Sequence, residues 1–135
     1  MKKPLPVIVS QDMRPREGED TAFKGGMTWF SLFDAAHTPT EGMTVGIGEI
    51  PALGKGTAHW HKQAELYYIL EGFGHMEIDA VRYEVKKGAA VYVPGDAIHN
   101  IFNASDSVMK ILYVFPCSSL SDVTYRFEDG SVSQF

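Results

Sequence analysis

Apolar residues along this chain come in short runs rich in β-branched and aromatic side chains. They are Met27–Asp34, Met43–Ile50, Thr57–His61, Glu65–Leu70, His75–Asp79, Arg82–Val85, Ala90–Val93, Ile98–Asn103 and Val108–Phe115. Gly, Pro, Asp or Asn separates most of them, and no stretch keeps a 3.6-residue period long enough for a helix. Many short strands at regular spacing predict an all-β sandwich or barrel. Three flanking segments differ. Residues 1–9 read as a short edge strand, 10–26 as a long polar arm, and 117–135 as a polar tail with scattered aromatics at Tyr125, Phe127 and Phe135. The organisation expected is one domain over 1–135, its core spanning about 27–116.

Length supports a single unit. A chain of 135 residues with 44% hydrophobic and 21% charged residues has the composition of an ordered globular domain. Thirteen glycines and seven prolines argue against a helical bundle. The formal net charge of −5, without a basic stripe, is a poor match for nucleic acid or an anionic membrane. No apolar run approaches the length of a membrane span. Lys2 and Lys3 are followed by Pro4 and Pro6, and Val7–Val9 is too short for a signal-peptide core. The single cysteine, Cys117, excludes an internal disulfide and fits a reducing compartment. The location these features predict is the cytoplasm.

The chemistry concentrates in two clusters. The first is His59-Trp-His61-Lys-Gln-Ala-Glu65. Side chains alternate along a strand, so His59 and His61 point one way and Trp60 the other. Glu65 opens the next strand after a three-residue turn and can return to the same point. The second is Pro94-Gly95-Asp96-Ala97-Ile98-His99, where a turn re-aims the chain and makes His99 the first inward residue of a strand. Three imidazoles and a carboxylate suit Fe, Mn, Ni, Co or Zn, and two positions would stay open on an octahedral ion. A bare His-x-His is weak evidence; the joining of both clusters with their flanking turns makes it specific.

Together the two frames resemble the paired motifs of the cupin superfamily. His59, His61, Glu65 and Gly72 match the first, and Gly88, Pro94, His99 and Asn103 the second. Gly54 stands one residue closer to His59 than the motif has it, and Asp96 occupies the motif's glycine position beside Gly95. The resemblance implies a small jelly-roll-like double-stranded β-helix, a barrel of two antiparallel sheets, with one metal ion in its mouth. It also implies a homodimer, for which the strand at 1–9 would offer an edge.

Outside the ligands, Gly26–Asp34, Gly48–Pro51, Ala64–Tyr67 and Phe115–Tyr125 are similar to the small cupin lyases that cleave dimethylsulfoniopropionate (DMSP), a small carboxylate substrate. That resemblance implies catalytic tyrosines at Tyr67 and Tyr125. Tyr67 shares the inward parity of Glu65, whereas Tyr125 must fold back from the tail. A sulfonium has no hydrogen-bond donors and suits aromatic faces, for which Tyr92, Trp29 and Phe30 are candidates. Two other functions compete. A cupin-type sugar-phosphate isomerase shares parts of the strand pattern but carries Thr-Arg where this chain has Gly56-Thr57-Ala58. A non-catalytic binding cupin is the other. The remaining polar groups have bland readings: His75 faces solvent, His37 has no partner, Cys117 is unreactive, and Glu17, Glu19 and Asp20 lie on a solvated loop.

Overall fold

The computed structural model describes residues 3–19 and 26–135. Eleven strands run in chain order: β1 (Thr28–Phe33), β2 (Thr44–Ile50), β3 (His59–Trp60), β4 (Glu65–Glu71), β5 (Phe73–Ile78), β6 (Val81–Lys86), β7 (Ala90–Val93), β8 (His99–Asn103), β9 (Met109–Phe115), β10 (Tyr125–Phe127) and β11 (Val132–Ser133). Two antiparallel sheets result, one in the order β1-β2-β9-β4-β7 and the other β11-β10-β3-β8-β5-β6. This is the jelly-roll-like, two-sheet architecture expected. Among the described residues, no ladder joins the sheets into a continuous barrel.

The period-two signal produces these faces. Along β9, Met109, Ile111, Tyr113 and Phe115 are buried while Lys110, Leu112 and Val114 are half-exposed. Along β4, Glu65, Tyr67 and Ile69 turn inward and Leu66 and Tyr68 outward. The β5–β6 hairpin turns on Asp79 and Ala80, both at positive φ (49° and 66°), with Ile78 paired to Val81. Positive φ at both central residues matches the right-handed twist of the strands they join.

Two packed regions fill the sandwich. One is aliphatic, centred on Ile50, Ile69, Met76, Met109 and Ile111, all fully buried. The other is aromatic, built from Trp29, Tyr113, Phe115, Tyr125 and Phe127 with Leu120 and Val123. Much of the second comes from the tail. That segment forms a 3-10 turn at Leu120–Asp122 and then β10, which lies beside β3 with Phe127 opposite His59 and Arg126 opposite Trp60. Buried Asp34 anchors it, accepting from the Ser119 hydroxyl at 2.6 Å and the Leu120 amide at 3.1 Å.

The N-terminal expectation is corrected. Residues 3–9 form no strand; they run outside both sheets and are mostly exposed. Pro4 and Pro6 lack the N–H that a ladder needs. The arm that follows is less loose than its composition predicts. Glu17 and Trp29 exchange backbone hydrogen bonds of 2.7 and 3.0 Å, and Arg14 Nε donates to the Ser31 carbonyl at 3.0 Å. Residues 10–19 therefore line the free edge of β1. Residues 20–25, including Asp20, lie outside the described residues.

Candidate metal centre

Two loops clasp each other to set the site. His59 and His61 leave β3 on one side, and the chain turns through Lys62–Ala64 into β4. The Pro94–Ala97 turn packs against this bend. The Asp96 amide donates to the His61 carbonyl at 2.8 Å. Gly95 is required by the close approach, because a Cβ there would stand 2.3 Å from the Lys62 carbonyl oxygen. Asp96, in the motif's glycine position, takes the left-handed φ of 65° itself. Aspartate tolerates that region better than most residues, so the departure from the motif preserves the turn. Asn103 is a staple of the fold: its amide donates to the carbonyls of Ile50, Pro51 and Ser107.

The structure brings His59, His61, Glu65 and His99 together, all buried, with their ligating atoms within 4.8 Å of one another. Two ligands on opposite sides of one ion, with bonds of about 2.1 Å, stand about 4.2 Å apart, so a small closure places all four on one ion. Each imidazole is oriented from behind. Nδ1 of His59 meets the Thr57 carbonyl at 2.7 Å, that of His61 the Gln63 carbonyl at 2.9 Å, and that of His99 the Ala97 carbonyl at 2.8 Å. A carbonyl only accepts, so Nδ1 of each ring carries a proton and Nε2 is the nitrogen turned toward the cluster. Nε2 of His61 and of His99 then face Glu65 Oε1 at 3.1 and 3.3 Å. A proton on either Nε2 bridges ring and carboxylate in the metal-free protein, and a cation bound among the four donors would take the place of those protons.

The electrostatics agree. Burial, helped by neighbouring His99, lowers the His59 pKa to about 3, leaving that ring neutral and able to ligate. Burial pushes the Glu65 carboxyl up, but its contacts with His61 and His99 win and hold it at about 2. The donor set thus contains an anion and a neutral imidazole held ready at neutral pH. Oxygen and nitrogen donors of this kind fit a divalent transition metal.

Beside the cluster lies a cavity of about 40 Å³, room for roughly three waters. Tyr67, Trp29 and Tyr125 line it. Tyr125 comes in on β10, its ring 5.2 Å from that of His59 and 5.3 Å from that of His61. Tyr67 stands 6.0 Å from His99, ring to ring. Burial, and then the Glu65 charge, raise both phenols well above 10. Phe30 and Tyr92 are not brought to the cavity. Phe30 is on the outer face of β1 beneath the Arg16 guanidinium, 4.8 Å from its ring centre. Tyr92 is 72% exposed, because its neighbour Val93 takes the inward position opposite Glu65.

Other sequence readings shift as well. His37 has a partner, with Nε2 3.6 Å from a Glu17 oxygen, and Glu17 is tied to Ser31 rather than solvated. His75 is half-buried, stacked on Phe102 at 4.4 Å. Burial raises the Cys117 thiol, in keeping with an unreactive group. Sequence reasoning missed Tyr113, Phe115, Leu120 and Phe135 in the cavity wall. Alternation along β9 would have found the first two; nothing local announces the last.

The chain belongs to the cupin family: the Cupin domain model matches residues 46–115. Among curated proteins it is similar to dimethylsulfoniopropionate lyase DddW of Ruegeria pomeroyi. The two are 30% identical over 122 residues, 90% of this chain and 80% of the relative. Among solved structures it resembles the polyketide cyclase RemF of Streptomyces resistomycificus (TM-score 0.71, 21% identity, 84% of this chain and 80% of the other). It also resembles a predicted oxalate decarboxylase of Thermotoga maritima (TM-score 0.69, 20% identity, 82% and 99%). These two likenesses bear on the fold alone.

Proposed function

We propose that this cupin is a metal-dependent lyase that cleaves DMSP by β-elimination to dimethyl sulfide and acrylate. The observation that carries the reading is the return of the tail: β10 sets Tyr125 against the histidine rings, across a small aromatic cavity from Tyr67. Likeness to a DMSP lyase over 90% of the chain supports the same substrate. His59, His61, Glu65 and His99 would hold the ion, for which Fe, Mn, Ni, Co and Zn are all acceptable. Bound there, a divalent metal supplies Lewis-acid stabilisation of the charge that develops on the substrate carboxylate.

The protein's own groups do the rest. A tyrosine, Tyr67 or Tyr125, takes the proton from the carbon next to the carboxylate as its phenolate. The C–H electron pair becomes the double bond, and the C–S pair leaves with sulfur. In the metal-free protein both phenols are held neutral by burial and by the Glu65 anion; neutralising Glu65 removes the second cause. Trp29, Phe115 and Phe135 offer faces to the sulfonium. Among the described residues, the cavity lining contains no Lys or Arg, which weighs against a sugar phosphate. Gas chromatography of the headspace above metal-loaded protein and DMSP tests the proposal. Dimethyl sulfide well above the no-enzyme rate is expected; none with iron, manganese, nickel, cobalt or zinc would refute it.

A further inference from the structure

The two sheets present unlike outer faces. On the six-stranded sheet, the outward positions of β5 and β6 carry His75, Glu77, Arg82, Glu84 and Lys86, the polar exterior that strand alternation leaves toward water. The five-stranded sheet has no such exterior. One outward row runs through Phe30 on β1, Ile47 on β2, Leu112 on β9 and Tyr68 on β4. The next runs through Val45, Val114 and Leu66 to Tyr92 on β7. The central strands β4 and β9 are therefore apolar on both sides, the pattern of strands covered on both sides. Yet Leu66, Tyr68 and Tyr92 are 37%, 38% and 72% exposed. Adjacent rows of this kind make a contiguous apolar patch, which marks an interaction surface.

Charge borders this face at one end, in the row Glu49, Lys110 and Glu71, and it is answered within the chain. Arg16 pairs with Glu49, and Lys110 with Glu71 at 3.9 Å. A two-fold contact requires a self-complementary surface, and a face without an unanswered charge meets a copy of itself without burying a lone ion. The chain also carries an uncovered arm. In residues 3–9, Leu5 and Ile8 are 82% and 89% exposed, so they bury little against their own chain. The base of the arm, the turn Gln11–Met13, is beside β1, at the margin of the apolar face. Pro4 and Pro6 fix φ, so ordering the arm costs less chain entropy than ordering a flexible segment.

Size shows what a cover must include. Five strands about 4.8 Å apart, over about five residues each, give a face of roughly 20 by 17 Å. That footprint is short of the roughly 800 Å² of accessible surface that each partner gives up in a stable complex. The arm, fully extended, spans up to about 24 Å, enough to cross a partner's face and supply the remainder. We propose that the outer face of the five-stranded sheet seats a second copy of this chain, the two sheets packed back to back about a two-fold axis. Each arm, residues 3–9, is laid across its partner, covering Leu5 and Ile8 as well. The contact expected at an edge strand thus moves to a sheet face, and residues 3–9 act as a strap. Assembly of this kind is independent of the reaction proposed above.

Sedimentation velocity of the full chain across a dilution series tests the proposal. A species of twice the chain mass that dissociates on dilution is expected. Leu66→Arg and Tyr68→Glu change side chains exposed in the single chain, so both variants should fold, as checked by circular dichroism. Each should weaken association at least about a hundredfold, because the dimer would bury an unpaired charge. Phe73→Arg, at a 54% exposed position on the outer face of the other sheet, should leave association unchanged. Removing residues 1–9 should weaken it about tenfold or more. Hydroxyl-radical footprinting of the wild type gives a check free of variants. Tyr68 and Tyr92 should become protected as the concentration rises, while Tyr83, 50% exposed on β6, should not. A single-chain mass at every concentration overturns the proposal. So does a dimer that survives both charged variants, or one in which Tyr68 and Tyr92 stay as reactive as in the single chain. Undiminished association without residues 1–9 overturns the part given to the arm. Cosedimentation of the single chain with phosphatidylcholine vesicles, lost in Leu66→Arg, would give the face to a membrane and overturn the second copy.

Discussion

The two halves of the sandwich are filled on different principles. Around Ile50, Ile69, Met76, Met109 and Ile111 the interior is aliphatic and fully buried, and its parts come from strands whose alternation is plain. Around the histidines it is aromatic, it leaves a cavity, and it encloses three imidazoles and a carboxylate. Taking polar and charged groups out of water costs free energy. The first half is therefore where stability is generated. The second is where some of it is given up to hold four donors and Tyr125 in a buried space, with Tyr67 at the boundary between the two halves.

Substitutions should separate the halves. The largest expected effect is on turnover: Tyr67→Phe removes a hydroxyl at the ligand cluster and should lower DMSP cleavage by about 10²–10⁴-fold, with metal content unchanged. Equal turnover would take Tyr67 out of the acid–base work. In the aliphatic half, Ile69→Ala should cost about 2–5 kcal/mol of unfolding free energy, read by urea titration, with kcat per folded molecule retained. A loss of turnover without a loss of stability would contradict the division.

Acid should act through the aromatic half of the metal-free protein. His59 has its folded pKa lowered from 6.5 to about 3, so the unfolded chain protonates first and stability falls as pH drops from 6.5 toward 3. Glu65, lowered from 4.5 to about 2, contributes stability above 4.5 that is lost as pH falls toward 2. Both losses have the same sign. Thermal unfolding of metal-free protein should show Tm declining steadily below about pH 6.5, and a flat profile to pH 4 would be at odds with a buried neutral His59. The smallest effect belongs to the turn between the halves. Asp96→Gly places the residue that favours φ 65° and should change stability by no more than about 1 kcal/mol. Metal content should be unaffected.

What was legible follows from the range of each signal. Nine strands were foreseeable because their apolar runs are bounded by Gly, Pro, Asp or Asn. The four donors were foreseeable because His-x-His and the Pro-Gly-Asp turn fix their geometry within a few residues. The tail was not. β10 and β11 are three and two residues long, too short for a period, and their positions depend on distant contacts such as Asp34 with Ser119 and Leu120. Residues 1–9 read as an edge strand, yet residues 3–9 form none, since Pro4 and Pro6 lack the N–H a ladder needs. Phe30 and Tyr92 were candidates by residue type, and strand parity, set by Trp29 and Val93 facing inward, placed them outside. Glu17 looked like one charge in a solvated loop, since its partner Ser31 is fourteen residues away.

The central proposal is that the aromatic half holds a cation among His59, His61, Glu65 and His99. Elemental analysis of wild type and His61→Ala, purified side by side and dialysed against the same metal-free buffer, tests it most directly. About one ion per chain in the wild type and a small fraction of that in the folded variant is the predicted result. Equal metal content in the two proteins would contradict it.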